Sequence, residues 1–171
     1  MKRVALFSAV AFLLLLAPNS ALAKGKTLKI TIDGGNLRNT IEIKSPRVLA
    51  PFRVWSGPGT SAYPSIDHAA PSFIVDWSQG ALRNHPENLP LYKISFWADS
   101  PKPRVVYVVF YEYDPAVKQG YVYLPGQNDE WFALNIATIM RDVEGKWFRS
   151  WSAWDQVASP LLSDPRLTAQ N

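Results

Sequence analysis

The stretch RVVYVVFYEYDPAVKQGYVYLPG, residues 104–126, decides the fold. Eight of its first ten residues are β-branched or aromatic, a composition that favours a pleated strand over a helix. Asp114-Pro115 ends this strand because proline has no N–H to donate to a ladder. Gly120 then opens a second extended run, which Pro125-Gly126 closes. We therefore predict a β-hairpin with a seven-residue loop.

The first strand of this hairpin is apolar on both faces. Its two alternating sets are Val105, Val109 and Tyr111, and Val106, Val108 and Phe110. A strand with one wet face would alternate apolar and polar residues, so this strand is predicted to be central and covered on both sides. We accordingly expect Phe110 to be an anchor of the core.

The N-terminus has the three parts of a Sec signal peptide. Lys2 and Arg3 precede an apolar run over residues 4–17, and Ala21-Leu22-Ala23 supplies small residues at −3 and −1. We predict a signal peptide over residues 1–23, with residues 24–171 left as a single globular domain in the periplasm or the medium. The run is shorter than the roughly 20 residues of a membrane span, so none is expected after processing. A retained N-terminal anchor is the alternative.

Composition restricts the partners and the source of stability. Cleavage would remove two of the 18 basic residues and none of the 14 acidic ones, so the mature net charge is +2. That charge is too small to favour nucleic acid or an anionic membrane as a partner. The chain has no cysteine, so its stability in an oxidising compartment must come from packing, chiefly of its many aromatic side chains.

The remaining strands are predicted from alternation of apolar and polar residues. Residues 28–32 and 40–44 form an opening hairpin around a glycine-rich turn, and 73–77 and 91–98 are further strands. Two glycines and three prolines make residues 56–72 a long surface loop.

Helical segments are few and short. Residues 46–52 suit one helical turn, and 131–140 are ambiguous before a final turn of helix. Ser152 can cap a C-terminal helix over 152–162. The predicted fold class is therefore α+β: a mostly antiparallel β-sheet, sandwich-like or strongly curved, with a short C-terminal helix.

Several turn and strand motifs are shared with other sequences. They are I-T-I-D-G-G-N-L-x-x-T-I-E-I at 30–43, Y-V-V-F-Y-E-Y-D-P at 107–115, Y-V-Y-L-P-G at 121–126 and G-K-W-F at 145–148. With them the chain resembles a loose group of uncharacterised secreted bacterial proteins. The motifs are structural, and the resemblance implies no activity and no catalytic residues.

Candidate catalytic groups are scarce. Without cysteine, a nucleophile would need His68 or His85 as its base, and both lie in proline-containing loops. Asp67 beside His68, with two serines nearby, is the arrangement that suggests a hydrolase, and solvated loop histidines are the alternative. A metal site would have to combine these residues with Asp76, and their spacing matches no metal motif. We predict no metal and no cofactor.

Acid pairs of the kind that glycosidases use are also limited. Such enzymes need two carboxyl groups within about 5–10 Å. Glu112 and Asp114 lie near one end of the hairpin, and Asp129 and Glu130 follow its other end. At about 3.3 Å per residue, the return strand separates the two pairs by more than roughly 13 Å. Glu112 with Asp114 remains possible, with ordinary hairpin-tip acids as the alternative.

Four tyrosines flank the hairpin tip: Tyr111, Tyr113, Tyr121 and Tyr123. They are predicted either to line a ligand-binding groove or to form cross-strand pairs that stabilise the sheet. Three late tryptophans, Trp147, Trp151 and Trp154, would share a face if one helix held them all, but Gly145 and the Ser152 cap indicate two elements. Core packing and sugar-stacking platforms both fit these tryptophans.

The predicted function is an exported, non-catalytic binding or interaction protein of the cell envelope or medium. A glycan or another envelope component is the candidate partner. The alternative is an envelope hydrolase that uses loop residues around His68.

Overall fold

A computed structural model describes residues 25–55, 73–99, 101–164 and 166–167 of the chain. The predicted signal peptide, the predicted loop at 56–72 and His68 lie outside these residues. The described residues form a six-stranded antiparallel sheet with the order β2-β1-β3-β4-β5-β6, with short helices around it. The α+β class predicted from the sequence is therefore confirmed, as is the C-terminal helix.

The strands are β1 (Lys26–Gly34), β2 (Ile41–Ile43), β3 (Tyr92–Asp99), β4 (Pro103–Asp114), β5 (Gln119–Leu124) and β6 (Lys146–Arg149). The helices are α1 (Pro46–Leu49), α2 (Phe132–Thr138) and α3 (Ser152–Leu162), and Trp77–Gln79 form a 3-10 turn. One predicted strand is wrong, and one strand of the sheet was missed. Residues 73–77 contribute only an isolated bridge at Val75, and β6 was not predicted at all.

The predicted hairpin of β4 and β5 is present, but its loop is residues 115–118 and is shorter than the predicted seven residues, because both strands extend further into the turn. Asp114 pairs with Gln119, and the register continues to Phe110 opposite Tyr123. Lys118 takes a left-handed conformation with φ of 54°, which lets the chain reverse direction. Strand β4 lies between β3 and β5 in the interior of the sheet, as its composition predicted.

One face of the sheet carries the hydrophobic core. The strands contribute buried residues such as Ile30, Ile94, Tyr111 and Val122 to this face. Helix α3 covers it with Trp154, Ala158 and Leu162, which are spaced four residues apart and therefore lie on one side of the helix. We call this the core face and the opposite side of the sheet the outer face.

The prediction that Phe110 anchors the core is wrong. Side chains alternate along a strand, and Tyr111 takes the core face with no exposure, so its neighbour Phe110 points to the outer face and stays partly exposed. The hairpin half of β4 is thus apolar on both sides without being covered on both sides. A register shift near Val106 also places Val106 in the core together with Tyr107.

Strand β5 pairs with β4 only from Phe110 onwards, and a side chain of α2 forms hydrogen bonds with the β4 backbone before that point. The Asn135 Oδ1 atom accepts from the Val108 N–H at 2.9 Å, and its Nδ2 donates to the Val108 carbonyl at 2.7 Å. Asn135 is fully buried. The amide therefore replaces the strand that β5 is too short to provide.

The core also holds a positive charge. Arg141 is buried, its Nη2 donates to the Val54 carbonyl at 2.6 Å, and its Cζ lies 4.3 Å from the centre of the Phe73 ring. The rings of Trp77 and Tyr107 are its next aromatic neighbours, at 5.7 Å and 5.4 Å. Burial lowers the pKa of Arg141, and the aromatic faces provide the favourable electrostatic contact that a carboxylate would otherwise make.

Helix α3 begins without the predicted cap. Trp151 occupies the N-cap position in an extended conformation, and no side chain bonds there to the first turn. None of the helices in the described parts of the chain is long and apolar enough to cross a membrane.

Candidate functional site

A row of side chains crosses the outer face at one level. The strand registers place Lys93, Phe110, Tyr123 and Trp147 opposite one another on β3, β4, β5 and β6. The ring centres of Phe110 and Tyr123 are 6.5 Å apart, and those of Tyr123 and Trp147 are 5.2 Å apart. We call Phe110, Tyr123 and Trp147 the aromatic row. All three rings are partly exposed.

The aromatic row is extended at its β6 end by a loop residue. Ala81 forms a bridge with Phe148, and the Leu82 N–H donates to the Trp147 carbonyl at 2.8 Å, so the chain after them starts beside β6. His85 then stacks on the Trp147 ring with centres 4.1 Å apart and planes 14° apart. His85 is therefore not the simply solvated loop histidine that the sequence also allowed.

Glu112 lies beside the aromatic row in an enclosed position. It faces Tyr121 across the strand pair, and 7% of the residue is exposed. Its Oε2 atom has no hydrogen-bond partner among the described residues, and His85 Nε2 lies 3.6 Å from it. Burial raises the pKa of Glu112 to about 7 from its usual value of 4.5. A carboxyl group that titrates near neutral pH can act as a proton donor or as the partner of a cation.

Tyr123 is held in place by hydrogen bonds outside the sheet. Its hydroxyl donates to Asp129 Oδ2 at 2.9 Å, and the Gly126 N–H donates to the same oxygen at 2.6 Å. At the β3 end of the row, Lys93 Nζ lies 5.4 Å from the centre of the Trp131 ring. Tyr123, the middle ring of the aromatic row, is thus held in place before any ligand arrives.

The structure divides the four hairpin tyrosines between the two faces. Tyr121 and Tyr123 lie on the outer face, opposite Glu112 and Phe110. Tyr111 and Tyr113 belong to the core side, opposite Val122 and Gly120. The four do not line one groove, and they form no tyrosine–tyrosine pair across the strands. Ligand binding by Tyr121 and Tyr123 stays a prediction, now on a defined face.

Tyr111 belongs to a buried polar network. Its hydroxyl donates to Asp155 Oδ1 at 2.7 Å, and the Gly120 N–H donates to Asp155 Oδ2 at 3.0 Å. The Ser150 hydroxyl also donates to Oδ1. Burial raises the pKa of Asp155, although these three donors favour its charged form. The network joins helix α3 to β4, β5 and β6, which makes it structural.

The three late tryptophans lie in two elements, as predicted. Trp147 is on β6 in the aromatic row, while Trp154 on α3 is fully buried against Tyr111 and Phe52. Trp151, at the start of α3, is partly exposed. One of the three is thus available to a ligand on the outer face.

The other candidates are placed as follows. His68 and Asp67 lie outside the residues that the structure describes. Asp76 caps the 3-10 turn by accepting from the Ser78 N–H at 3.0 Å. Asp114 accepts from the Ala116 N–H at 2.8 Å in the hairpin loop. Among the described residues, no group of three His, Asp or Glu side chains could hold a metal ion.

The combination of Glu112, His85 and Trp147 was not predicted from the sequence. Trp147 lies on β6, a strand that was not predicted, and His85 reaches the sheet through a loop that only tertiary structure positions. Glu112 did offer a signal, because it is the one acid within the apolar strand from Val105 to Tyr113. No protein-family model, curated protein or solved structure matches the chain.

Proposed function

We propose that the protein is an exported, non-catalytic binding protein whose aromatic row binds a glycan. The observation that carries the proposal is the row itself, three partly exposed rings on the face of the sheet that does not form the core. Aromatic rings have apolar faces that stack well, and the hydroxyl or ring N–H of tyrosine and tryptophan adds a polar group.

The geometry of the row suits an extended ligand. Neighbouring strands are about 4.8 Å apart, so the three rings span about 10 Å from β4 to β6. His85 covers one face of Trp147, and all three rings of the row stay partly exposed. Because Tyr123 is held by Asp129, little side-chain entropy would be lost when a ligand binds.

A glycan-array screen followed by calorimetry with the best ligand tests the proposal. Tyr123→Ala should weaken binding at least about tenfold, equivalent to about 1.4 kcal/mol. Trp97→Ala is the matched control, because Trp97 is also a partly exposed aromatic residue of the sheet but lies outside the row. Absence of any glycan ligand, or equal losses in both variants, would refute the proposal.

A hydrolase is the second candidate, and the position of Glu112 beside His85 favours it. General acids work best with a pKa near the working pH, and the pKa of Glu112 is raised to about 7. If the bound glycan is cleaved, Glu112→Gln should abolish turnover and leave binding in place. Binding without turnover in the unmodified protein would exclude this candidate.

Export by the Sec pathway remains part of the proposal, supported by the tripartite N-terminus. N-terminal sequencing of the exported protein should begin at Lys24. An exported protein that still carries the apolar run at 4–17 would contradict it.

A further inference from the structure

Glu112 is an acid enclosed in an aromatic surface. Its side chain is 10% exposed, and its Oε2 atom is enclosed without a hydrogen-bond partner in the part of the chain that the structure describes. Buried carboxyl groups are ordinarily hydrogen-bonded or paired with a cation. Asp155, another buried acid, differs from Glu112 because its carboxylate accepts hydrogen bonds from three donors. Glu112 therefore lacks partners that the fold supplies to a comparable acid.

The basic side chains around Glu112 do not donate a hydrogen bond to its carboxyl group. His85 Nε2 is 3.6 Å from Oε2, a distance that allows an ion pair when the ring is protonated but is too long for a hydrogen bond. Lys93 on β3 is directed to the Trp131 ring, and Arg149 on β6 is exposed to solvent. Asp114, the next acid along this face of β4, bonds to the backbone of its own loop. Because Oε2 is enclosed, Oε1 is the oxygen of Glu112 that a donor from outside the chain could reach.

The surroundings of Glu112 are aromatic. Tyr121 lies directly across the strand pair, and Phe110 is two residues away on the same face. The stacked rings of His85 and Trp147 approach from β6. Aromatic faces attract organic cations, and an enclosed carboxylate adds a full opposite charge. An anionic ligand would be repelled at this position, whereas an ammonium group would be attracted by both features.

We infer that the ligand of the outer face carries an ammonium group, as an amino sugar does, and that Glu112 pairs with it. This inference rests on the proposed function, since the aromatic row would hold the sugar rings. The raised pKa of Glu112 agrees with it. An arriving ammonium group would favour the ionised carboxylate, so binding should release a proton into solution below about pH 6.5, where the ligand amine is already protonated.

The test compares two ligands that differ in the amino group. The purified protein is titrated at pH 7 with a β-1,4-linked glucosamine tetramer and with its N-acetylated counterpart. The free amine should bind at least about tenfold more tightly, a difference of about 1.4 kcal/mol. Glu112→Gln keeps the size of the side chain and should abolish this preference. Glu87→Gln, an exposed acid in the loop that holds His85, should leave it unchanged.

Proton release gives a second readout that a purely structural role would not produce. Titrations below about pH 6.5, in two buffers of different ionisation enthalpy, should show proton release for the unmodified protein and none for Glu112→Gln. Equal affinity for both tetramers, lost in Tyr123→Ala, would overturn the inference and leave glycan binding intact. A preference that survives in Glu112→Gln would also overturn it. Failure of both tetramers to bind refutes the inference, and the glycan screen then decides the proposed function separately.

Discussion

Replacing Gly120 by alanine should be among the most destabilising single-methyl changes in the protein. A Cβ atom at Gly120 would lie 2.5 Å from Cε2 of the Tyr111 ring and closer still to Asp155 Oδ1 and Ser150 Oγ. All of these groups are buried, so the methyl group cannot be accommodated by turning a side chain into solvent.

The magnitude follows from two contributions. Overpacking of a core by one methyl group costs about 1–3 kcal/mol. Displacing Asp155 also breaks or lengthens its bonds with Tyr111 and Gly120, and a hydrogen bond to a charged group contributes about 1.5–3 kcal/mol. Gly120→Ala should therefore lose about 3–5 kcal/mol, a large part of the 5–15 kcal/mol that stabilises a typical domain.

Urea denaturation measures the loss, with Gly80→Ala as the control. An added Cβ at Gly80 meets no atom of the described residues within 4 Å, so this variant reports only the strain of a backbone conformation that favours glycine, with φ of 65° and ψ of −175°, about 1–3 kcal/mol. Ser150→Ala removes one of the oxygen atoms that a Cβ at Gly120 would approach too closely. Gly120→Ala should therefore cost less stability in a protein that already carries Ser150→Ala than in the unmodified protein. Equal midpoints for Gly120→Ala and Gly80→Ala would refute the steric argument.

Three further predictions concern β4. Asn135→Ala should cost about 2–4 kcal/mol in urea denaturation, because it leaves the buried N–H and C=O of Val108 unpaired; a loss below 1 kcal/mol would contradict the role of the amide. Tyr111→Ala should lower the denaturation midpoint far more than Phe110→Ala, since a buried aromatic truncation costs about 3–5 kcal/mol and Phe110 is partly exposed; the reverse order would show that the faces are misassigned. Glu112 has a pKa raised to about 7, so its contribution to stability is complete below about pH 4.5 and is lost as the pH rises through about 7. The free energy of unfolding, measured relative to Glu112→Gln, should thus fall by about 1–3 kcal/mol between pH 4.5 and 8, and parallel curves would contradict the burial of the acid.

Local sequence signals were sufficient for most of the sheet. The β-branched and aromatic run of β4, the turn at Asp114-Pro115 and the alternation of β1 specify their own conformations without help from distant residues. Strand β6 could not be found in this way, because four residues are too few for a period and its pairing with β5 depends on tertiary structure. Residues 73–77 show the opposite case. Their apolar side chains pack in the core, but their backbone does not form a strand of the sheet.

The faces were harder to predict than the strands. Both sides of β4 are apolar near Phe110 and Tyr111, so hydrophobicity alone gives no reason to put one of them inside. Asp155 resolves the choice in the structure, because it offers the Tyr111 hydroxyl a buried acceptor. That acceptor lies 44 residues away in the sequence, and no local pattern could indicate it. The candidate site depended on the same assignment of side chains to faces. Of the four tyrosines predicted to bind a ligand, only Tyr121 and Tyr123 therefore lie on the outer face.

The position of β1 between β2 and β3 constrains the order in which the chain can fold. Strands β3, β4 and β5 follow one another through short connections, whereas Gly34 of β1 must find Tyr92 of β3 across a long intervening segment. Closing a long loop has a larger entropic cost than closing a hairpin, so contacts near in sequence should form first. In pulsed hydrogen exchange during refolding, amides of β4 and β5 should become protected before those of β1. Simultaneous protection would show instead that the opening hairpin docks as the sheet nucleates.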